Sequence, residues 1–474
     1  MRLNKTKIVA TLGPASSSKT MMSKLISSGI DVFRINFSHA KHDEVERIVA
    51  DIKNLRIKHK KHVSILGDLQ GPKIRIGNVV PNCLLKKGDE IVFSTNKIKD
   101  GTSKRTSINY SRFAKDVKKG ESILVDDGKI ILQVQKTDKV SEVTLDVVQG
   151  GPLSSNKGVN LPNTKISMPA LTAKDIKDAR LAAKLDFDWI ALSFVRSKND
   201  VLELKTLLDK NSKLSIPIIS KIEKPQAIKK MDQILKVSDG LMVARGDLGL
   251  EIPAEEVPLY QKLLVKKANK ARKPIIIATQ MMESMIDNLT PSRAEVNDVA
   301  NSVMDGADCI MLSGETSVGK YPCEVVKKVG VIISKVEDSQ PVTTSFLKPE
   351  EKSNRIISRS VCRHAAMVAN EIKASAVCTL THSGYTGWQI SSWRPRCLVL
   401  VFTSNKRILS QLNLLWGVKC IYYNKFQSTD KTVEDVNLLA LKNRYVKKGD
   451  IVINLAAMPI KNMGQVNTLR ISQL

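Results

Sequence analysis

Eight short apolar runs, each leading to a polar tip and most followed by an amphipathic helical segment, constrain this chain more than any other feature. The first three are Lys7–Leu12, Asp31–Asn36 and Val63–Asp68. The other five are Asp188–Ser193, Pro217–Ile222, Asp239–Ala244, Pro274–Thr279 and Asp308–Ser313. Helical periodicity lies between them, as in Ser16–Ser28 ending at Gly29, His42–Lys58, and Thr172–Leu185 with Thr172 as its cap. Eight such units are the count for a (β/α)8 TIM barrel. An open doubly wound sheet seldom needs eight. No Gly-x-Gly-x-x-Gly follows any run, so a dinucleotide site is poorly supported.

The alternation breaks after the third run. Residues from about 72 to 165 are rich in Val, Ile, Lys and Gly at strand spacing, with turns at Lys87-Gly88-Asp89 and Asp126-Asp127-Gly128. This stretch reads as an inserted β domain. Glu337–Asn354 has no apolar pattern and reads as a linker. A second alternation follows Arg355, with runs at Ala376–Thr381, Cys397–Thr403, Val418–Tyr423, Ile451–Leu455 and Thr468–Ile471. The expected α/β architecture is therefore a barrel from residues 1–70 and 168–340, a β-barrel cap from 71–167 and an α/β domain from 355–474.

Composition narrows the function. No apolar run reaches the ~18 residues of a membrane span, and the opening Met1-Arg-Leu-Asn-Lys-Thr-Lys lacks an export signal's apolar stretch. Seven cysteines without a Cys-x-x-Cys pair argue against a disulfide framework or thiolate zinc, and point to a reducing cytoplasm. Lys plus Arg is 75 against 47 for Asp plus Glu, a net charge of +28. A polyanion such as RNA is one reading. Against it, the basic residues are spread over the whole chain and aromatics are only 4%, too few for base stacking. Drift toward Lys over an ordinary enzyme surface is the alternative, and it still favours anionic metabolites.

In a barrel of this kind the chemistry sits at the carboxyl ends of the strands. Those ends carry Thr11; Arg34, Asn36 and Ser38; Asp68; Ser193; Lys221 and Glu223; Arg245 and Asp247; Thr279; and Ser313 and Glu315. Strand alternation puts Lys221 and Glu223 on one face, toward the barrel mouth. Glu223 and Asp247, on neighbouring tips, suit a small hard cation such as Mg²⁺, which takes one or two protein carboxylates and fills its shell with substrate oxygens. Gly246 and Gly249 beside Asp247 let backbone amides approach an oxyanion. Arg34 and Lys221 are then the cations for a phosphoryl group, whose transfer needs positioning and charge neutralisation. Thr279 could position a water or a proton, or be an ordinary strand-end hydroxyl. An ion-pair network that merely closes the barrel would account for two of the four charges but not for the glycines. The six histidines show neither zinc spacing nor a hydrolase triad.

These stretches resemble the pyruvate kinase family. The resemblance is carried by Thr6-Lys-Ile-Val-Ala-Thr-Leu-Gly-Pro-Ala-Ser16, Phe33-Arg-Ile-Asn-Phe-Ser-His39, Asp68-Leu-Gln-Gly-Pro-Lys-Ile-Arg75, Ser220-Lys-Ile-Glu223, Val243-Ala-Arg-Gly-Asp-Leu-Gly249, Ala278-Thr-Gln-Met-Met-Glu-Ser284, Pro291-Ser-Arg-Ala-Glu-Val296 and Met311-Leu-Ser-Gly-Glu-Thr316. It implies transfer of the phosphoryl group of phosphoenolpyruvate to ADP, giving pyruvate and ATP at the last step of glycolysis. It also implies roles. Glu223 and Asp247 hold Mg²⁺, with Mn²⁺ as an alternative. Lys221 stabilises the transferring group and Arg34 the phosphate. Gly246, Asp247 and Thr279 hold the substrate carboxylate, with Thr279 in the proton step. Arg75 and Asn36 face the nucleotide, whose ADP brings a second Mg²⁺. A homotetramer is implied as well.

Departures from the family pattern are informative. Members that need K⁺ bind it near Asn36, Ser38, Asp68 and Leu69 and carry Glu where this chain has Lys73. The chain therefore resembles the K⁺-independent branch, with the Lys73 ammonium replacing the ion's charge and pairing with Asp68. Ser197 precedes Lys198 after Phe194-Val-Arg196, which alters one nucleotide contact. Thr381-His-Ser-Gly-Tyr-Thr386 matches the loop that grips a sugar-phosphate or nucleotide effector in the family. Ala457-Met-Pro-Ile-Lys-Asn-Met-Gly464 lacks the Gly-rich effector pattern, which argues against control by fructose 1,6-bisphosphate. The rival enzyme is a metal-dependent lyase or aldolase acting through a pyruvate enolate. It has no use for a nucleotide clamp.

Overall fold

The computed structural model describes residues 3–212, 215–339, 354–425, 428–458 and 464–474. The eight apolar runs form a closed parallel barrel in which the first strand, Lys7–Thr11, pairs with both the second and the eighth. The others are Val32–Asn36, Ser64–Asp68, Trp189–Leu192, Ile218–Ile222, Gly240–Ala244, Ile275–Ala278 and Cys309–Leu312. Every strand is slightly shorter than its run. The leading Asp of several runs lies just outside the ladder and takes a backbone amide: Asp31 accepts from Ile8 N, Asp188 from Ile65 N, Asp239 from Ile218 N and Asp308 from Ile275 N.

Strand parity sorts the side chains. Val9, Val32, Leu66, Trp189, Ile219, Met242, Ile276 and Cys309 share one buried cluster. The alternate residues, such as Ile8, Phe33, Ile65, Ile190 and Ile218, pack with the surrounding helices in another. Continuing each column of the first set up its strand by two or four residues reaches Thr11, Arg34, Asn36, Asp68, Ser193, Lys221 and Glu223. Period-two geometry thus stacks the polar tips over an apolar plug.

The helix Ala173–Lys184 shows how local sequence is tied to the site. Thr172 and Asp175 form a capping box. Asp175 is fully buried and its second oxygen accepts from Gly71 N, where the chain leaves the barrel for the inserted domain.

The inserted segment forms a six-stranded sheet and a two-stranded one. Its core includes Ile91, Phe93, Ile123, Leu132 and Leu145. Residues 74–77 join the two edges of the six-stranded ladder and close the cap. On one side Ile76 N donates to Lys157 O and Val159 N to Ile74 O, and on the other Asn109 N donates to Arg75 O and Gly77 N to Ser107 O.

The C-terminal sheet runs Val418–Tyr422, Leu398–Thr403, Ala376–Leu380, Ile451–Ala456 and Thr468–Gln473, with only the last strand antiparallel. This domain seals the amino end of the barrel, since its Val377, Ile390, Trp393 and Leu414 belong to the same cluster as the barrel plug. Trp189 Nε1 donates to Gln411 O at 2.9 Å, and Asn413 Nδ2 to Asp31 O at 2.9 Å. The linker expected from Glu337 begins later. The helix Pro322–Ser339 continues through Glu337, whose carboxylate accepts from Lys5 N and Thr6 N and so is held in structure. Residues 340–353 lie outside the described residues.

Candidate active site

Lys221 lies at the centre of the barrel mouth. Its Nζ is 3.2 Å from Asp68 Oδ1 and 2.9 Å from Glu223 Oε1, and it donates to Ser193 Oγ at 2.8 Å. Burial alone would weaken this ammonium, but Asp68, Glu223 and Asp247 outweigh it and raise its pKa above the ordinary lysine range. Lys221 is therefore a fixed cation at any physiological pH. Arg34 completes the positive wall. Its Nε and Nη2 both reach Asp68 Oδ2 at 2.7 Å, and Nη1 donates to Thr11 Oγ1 at 3.0 Å. Burial tends to raise the pKa of Asp68, yet Lys221 and Arg34 hold it below the usual carboxylate value.

Glu223 is fully buried. One oxygen accepts from Phe194 N at 2.6 Å, while Oε1 faces Lys221 without hydrogen-bond alignment and has no other partner. Burial pushes this carboxyl up to about 7 against the pull of Lys221, with Asp247 adding to the rise. A buried carboxyl raised by burial, and further by a neighbouring carboxylate, is a donor set that a hard dication relieves. Glu223 and Asp247 fit Mg²⁺ on these grounds. Among the described residues no group of three or more His, Cys, Asp or Glu converges. Two carboxylates are what a site completed by substrate oxygens requires.

Asp247 and Gly246 sit in the short helix Arg245–Leu248 on the sixth tip. Gly246 N donates to Thr279 Oγ1 at 2.8 Å, which links the sixth and seventh tips. Thr279 itself has φ +72, a left-handed conformation that a β-branched residue rarely adopts. Its hydroxyl donates back to Ala278 O at 2.6 Å. Arg245 Nη2 grips Thr279 O at 2.6 Å and Nη1 grips Asp298 at 2.7 Å. This tip cation thus pins the turn and does not face the mouth. Glu315 is similarly committed, its carboxylate accepting from Met282 N and Ser313 N.

The remaining expected residues are spread between the barrel mouth and the cap. Asn36 Oδ1 accepts from Ser38 N at 3.1 Å, closing a local turn. Leu69 is buried, and its carbonyl accepts from Ser193 Oγ at 2.6 Å. Lys73 lines the cleft between barrel and cap with Asp127, Asn160, Phe194, Lys224 and Asp247. It does not pair with Asp68, whose oxygens Arg34 and Lys221 already share. Its charge is felt instead at His39, whose pKa burial lowers first and Lys73, Arg75 and Arg34 lower further. Arg75 Nη1 donates to Asn156 O at 2.7 Å within the cap.

Two features were missed in the sequence. One is Phe194 with φ +54, whose backbone amide holds Glu223. The other is the pair Lys224–Glu251 at 2.6 Å. The run Ser220–Glu223 drew attention to Glu223 but not to the lysine after it. The C-terminal loop Thr381–Thr386 lines a separate cleft with Arg355 and Ser358. Of the late loop Ala457–Gly464, residues 459–463 lie outside the described residues.

Comparison with known proteins accords with this arrangement. The family described as pyruvate kinase, barrel domain, matches residues 3–326, and pyruvate kinase, alpha/beta domain, matches residues 359–472. Pyruvate kinase of Geobacillus stearothermophilus is 40% identical over 469 residues, covering 98% of this chain and 80% of the relative. That of Corynebacterium glutamicum is 41% identical over 470 residues, covering 99% and 98%. That of Clostridium acetobutylicum is 39% identical over 475 residues, covering 99% of each. With both domain families matched and full-length relatives near 40% identity, this chain belongs to the pyruvate kinase family and is a phosphotransferase of that kind.

Proposed function

We propose that the barrel mouth moves the phosphoryl group of phosphoenolpyruvate to ADP, giving pyruvate and ATP, with Lys221, Arg34 and Thr279 as its working side chains. The observation that carries this reading is the buried Lys221 ammonium held among Asp68, Glu223 and Ser193, within one barrel mouth with Arg34. Phosphoryl transfer demands cations already in place where charge spreads over the equatorial oxygens. Lys221 meets that demand at the transferring group and Arg34 at the substrate phosphate. Gly246, Asp247 and Thr279 hold the substrate carboxylate. Thr279 orders the proton that reaches the enolate carbon.

Glu223 and Asp247 would hold Mg²⁺, or Mn²⁺ in its place. The bound dication supplies charge neutralisation beside the phosphoryl oxygens. ADP brings a second Mg²⁺, with Arg75 and Asn36 toward the nucleotide. Lys73 takes the place of K⁺ in the region of Asn36, Ser38, Asp68 and Leu69. The support is its position in the cleft and its electrostatic reach to His39. It acts as a free charge in the cleft and not as a partner of Asp68.

The cleft at Thr381–Thr386 is read as the site of an anionic effector, of sugar-phosphate or nucleotide type. A homotetramer is supported by the outer edge of Thr468–Gln473, unpaired among the described residues, where Ile471 is 51% exposed. A reducing cytoplasm is supported by seven free cysteines, six of them buried. No helix among the described residues is long and apolar enough to cross a membrane. A nucleic-acid partner is not part of this reading.

The test is the initial rate of pyruvate formation from phosphoenolpyruvate and ADP with Mg²⁺, in a K⁺-free organic-cation buffer and again with added KCl. Comparable rates support both the reaction and the Lys73 reading. A rate only with KCl overturns Lys73's role, and no pyruvate in either buffer overturns the assignment of the site.

A further inference from the structure

Glu251 lies four residues beyond Asp247, is 4% exposed, and bonds Lys224 and Asn160, which line the cleft between barrel and cap. Its Oε1 accepts from two sides. Lys224 Nζ donates at 2.6 Å from the fifth strand's tip, and Asn160 Nδ2 donates at 3.0 Å from an edge strand of the cap. Lys224 directly follows Glu223. Its ammonium is 7% exposed as a residue and lies 5.7 Å over the ring of Phe194, the residue whose amide holds Glu223. Glu251 is tied to Asp247 through backbone, since Leu250 N donates to Asp247 O at 3.2 Å and Glu251 N to Leu248 O at 2.9 Å. Next to it, Leu250 packs against the cap turn at Gly128, where an added Cβ would meet its side chain at 3.4 Å.

One carboxylate therefore touches the cap and is tied to both strand tips that carry the acidic pair. We infer that Glu251 is a positioning residue that makes docking of the cap and alignment of Glu223 with Asp247 a single event. The inference rests on the reading of Glu223 and Asp247 as the divalent-cation ligands. The physical reason is buried charge. Glu251 Oε2 has no partner, and a buried carboxylate that loses one of its few donors is costly. When Asn160 withdraws with the cap, Glu251 is left with Lys224 alone, and the loop that carries Asp247 loses its anchor on the cap side. Linkage then makes the coupling reciprocal: whatever closes the cap tightens the cation, and the cation closes the cap by the same factor.

The experiment uses the full chain without nucleotide and Mn²⁺ as the probe. Free Mn²⁺ is counted by electron paramagnetic resonance, and backbone hydrogen exchange is followed over residues 158–161. The variants are Asn160→Ala, which removes only the cap's donor, and Glu223→Gln as the control. In the parent chain Mn²⁺ should slow exchange at 158–161 by about fivefold or more, a coupling of ordinary size. In Asn160→Ala that protection should vanish and Mn²⁺ affinity should fall by a similar factor, with KM for ADP rising more than kcat falls. A merely structural contact would not link metal affinity to exchange in the cap. Unchanged Mn²⁺ affinity and unchanged protection in Asn160→Ala, with Mn²⁺ binding lost in Glu223→Gln, overturns the inference alone. Mn²⁺ binding retained in Glu223→Gln overturns the assignment of the metal ligands beneath it.

Discussion

At the scale of the residue, the barrel mouth holds its charges already committed. Three carboxylates hold Lys221 cationic, which under the proposed reading leaves no protonation step for its part in the transfer. Lys221→Met is expected to lower kcat by at least about 10²- to 10³-fold, the size of losing one preorganised electrostatic group, with an unchanged circular dichroism spectrum. Near-normal turnover would remove Lys221 from the mechanism. Lys73 differs because it stands without Asp68 as a partner. Lys73→Glu should depress the rate in K⁺-free buffer and create a response to KCl. The same assay with and without the salt reads both effects. Some tip residues are less than they looked. Arg245 and Glu315 are spent on backbone groups of neighbouring tips. A residue type at a strand end shows that a charge is there, while its hydrogen bonds show whether the charge is free.

At the scale of the element, each strand delivers its working residue by parity. The apolar residues of one strand face are legible as a column, and the polar group continuing that column faces the mouth. Arg34, Asp68, Lys221 and Glu223 were readable on that ground. Helix caps are equally local, as Thr172 with Asp175 shows. That cap also has a remote partner, because Asp175 accepts from Gly71 N at the exit to the cap domain. Asp175→Ala should therefore cost more than an ordinary capping loss of about 1 kcal/mol, reaching about 2 kcal/mol with the orphaned buried amide. Urea denaturation would measure it, and a cost near zero would show that Gly71 finds another acceptor. The inserted domain shows the converse. Its strands were legible as alternating runs, but the segment that joins its two edges, residues 74–77, was not, since those residues bond partners about 30 to 80 positions away.

At the scale of the whole molecule, buried charge joins the barrel to the C-terminal domain. Arg394 is 2% exposed and donates to Asp308 Oδ1 at 2.9 Å and Gly306 O at 2.7 Å across that boundary. Arg394→Ala leaves Asp308 buried without its cation, for an expected loss of about 3–5 kcal/mol, read as a lower denaturant midpoint. A second prediction concerns pH. Burial pushes the thiols of Cys362, Cys397 and Cys420 up to about 12. The folded state then holds these protons while the unfolded chain releases them near the ordinary value of 9.0. Their contribution is fully present below pH 9 and is lost as pH rises toward 12. Tm should fall across that interval, and Cys362→Ala with Cys397→Ala should flatten the fall. An unaltered slope in the double variant would remove the thiols as its cause. Across these scales, the eight units, the break at the cap and the polar strand tips follow from the chain alone, because side-chain period and turn chemistry act over a few residues. Which charges meet was decided only by barrel closure and domain docking. Asn160 and Glu251 are 91 residues apart in sequence and Arg394 and Asp308 are 86 apart, separations over which no local pattern carries a signal.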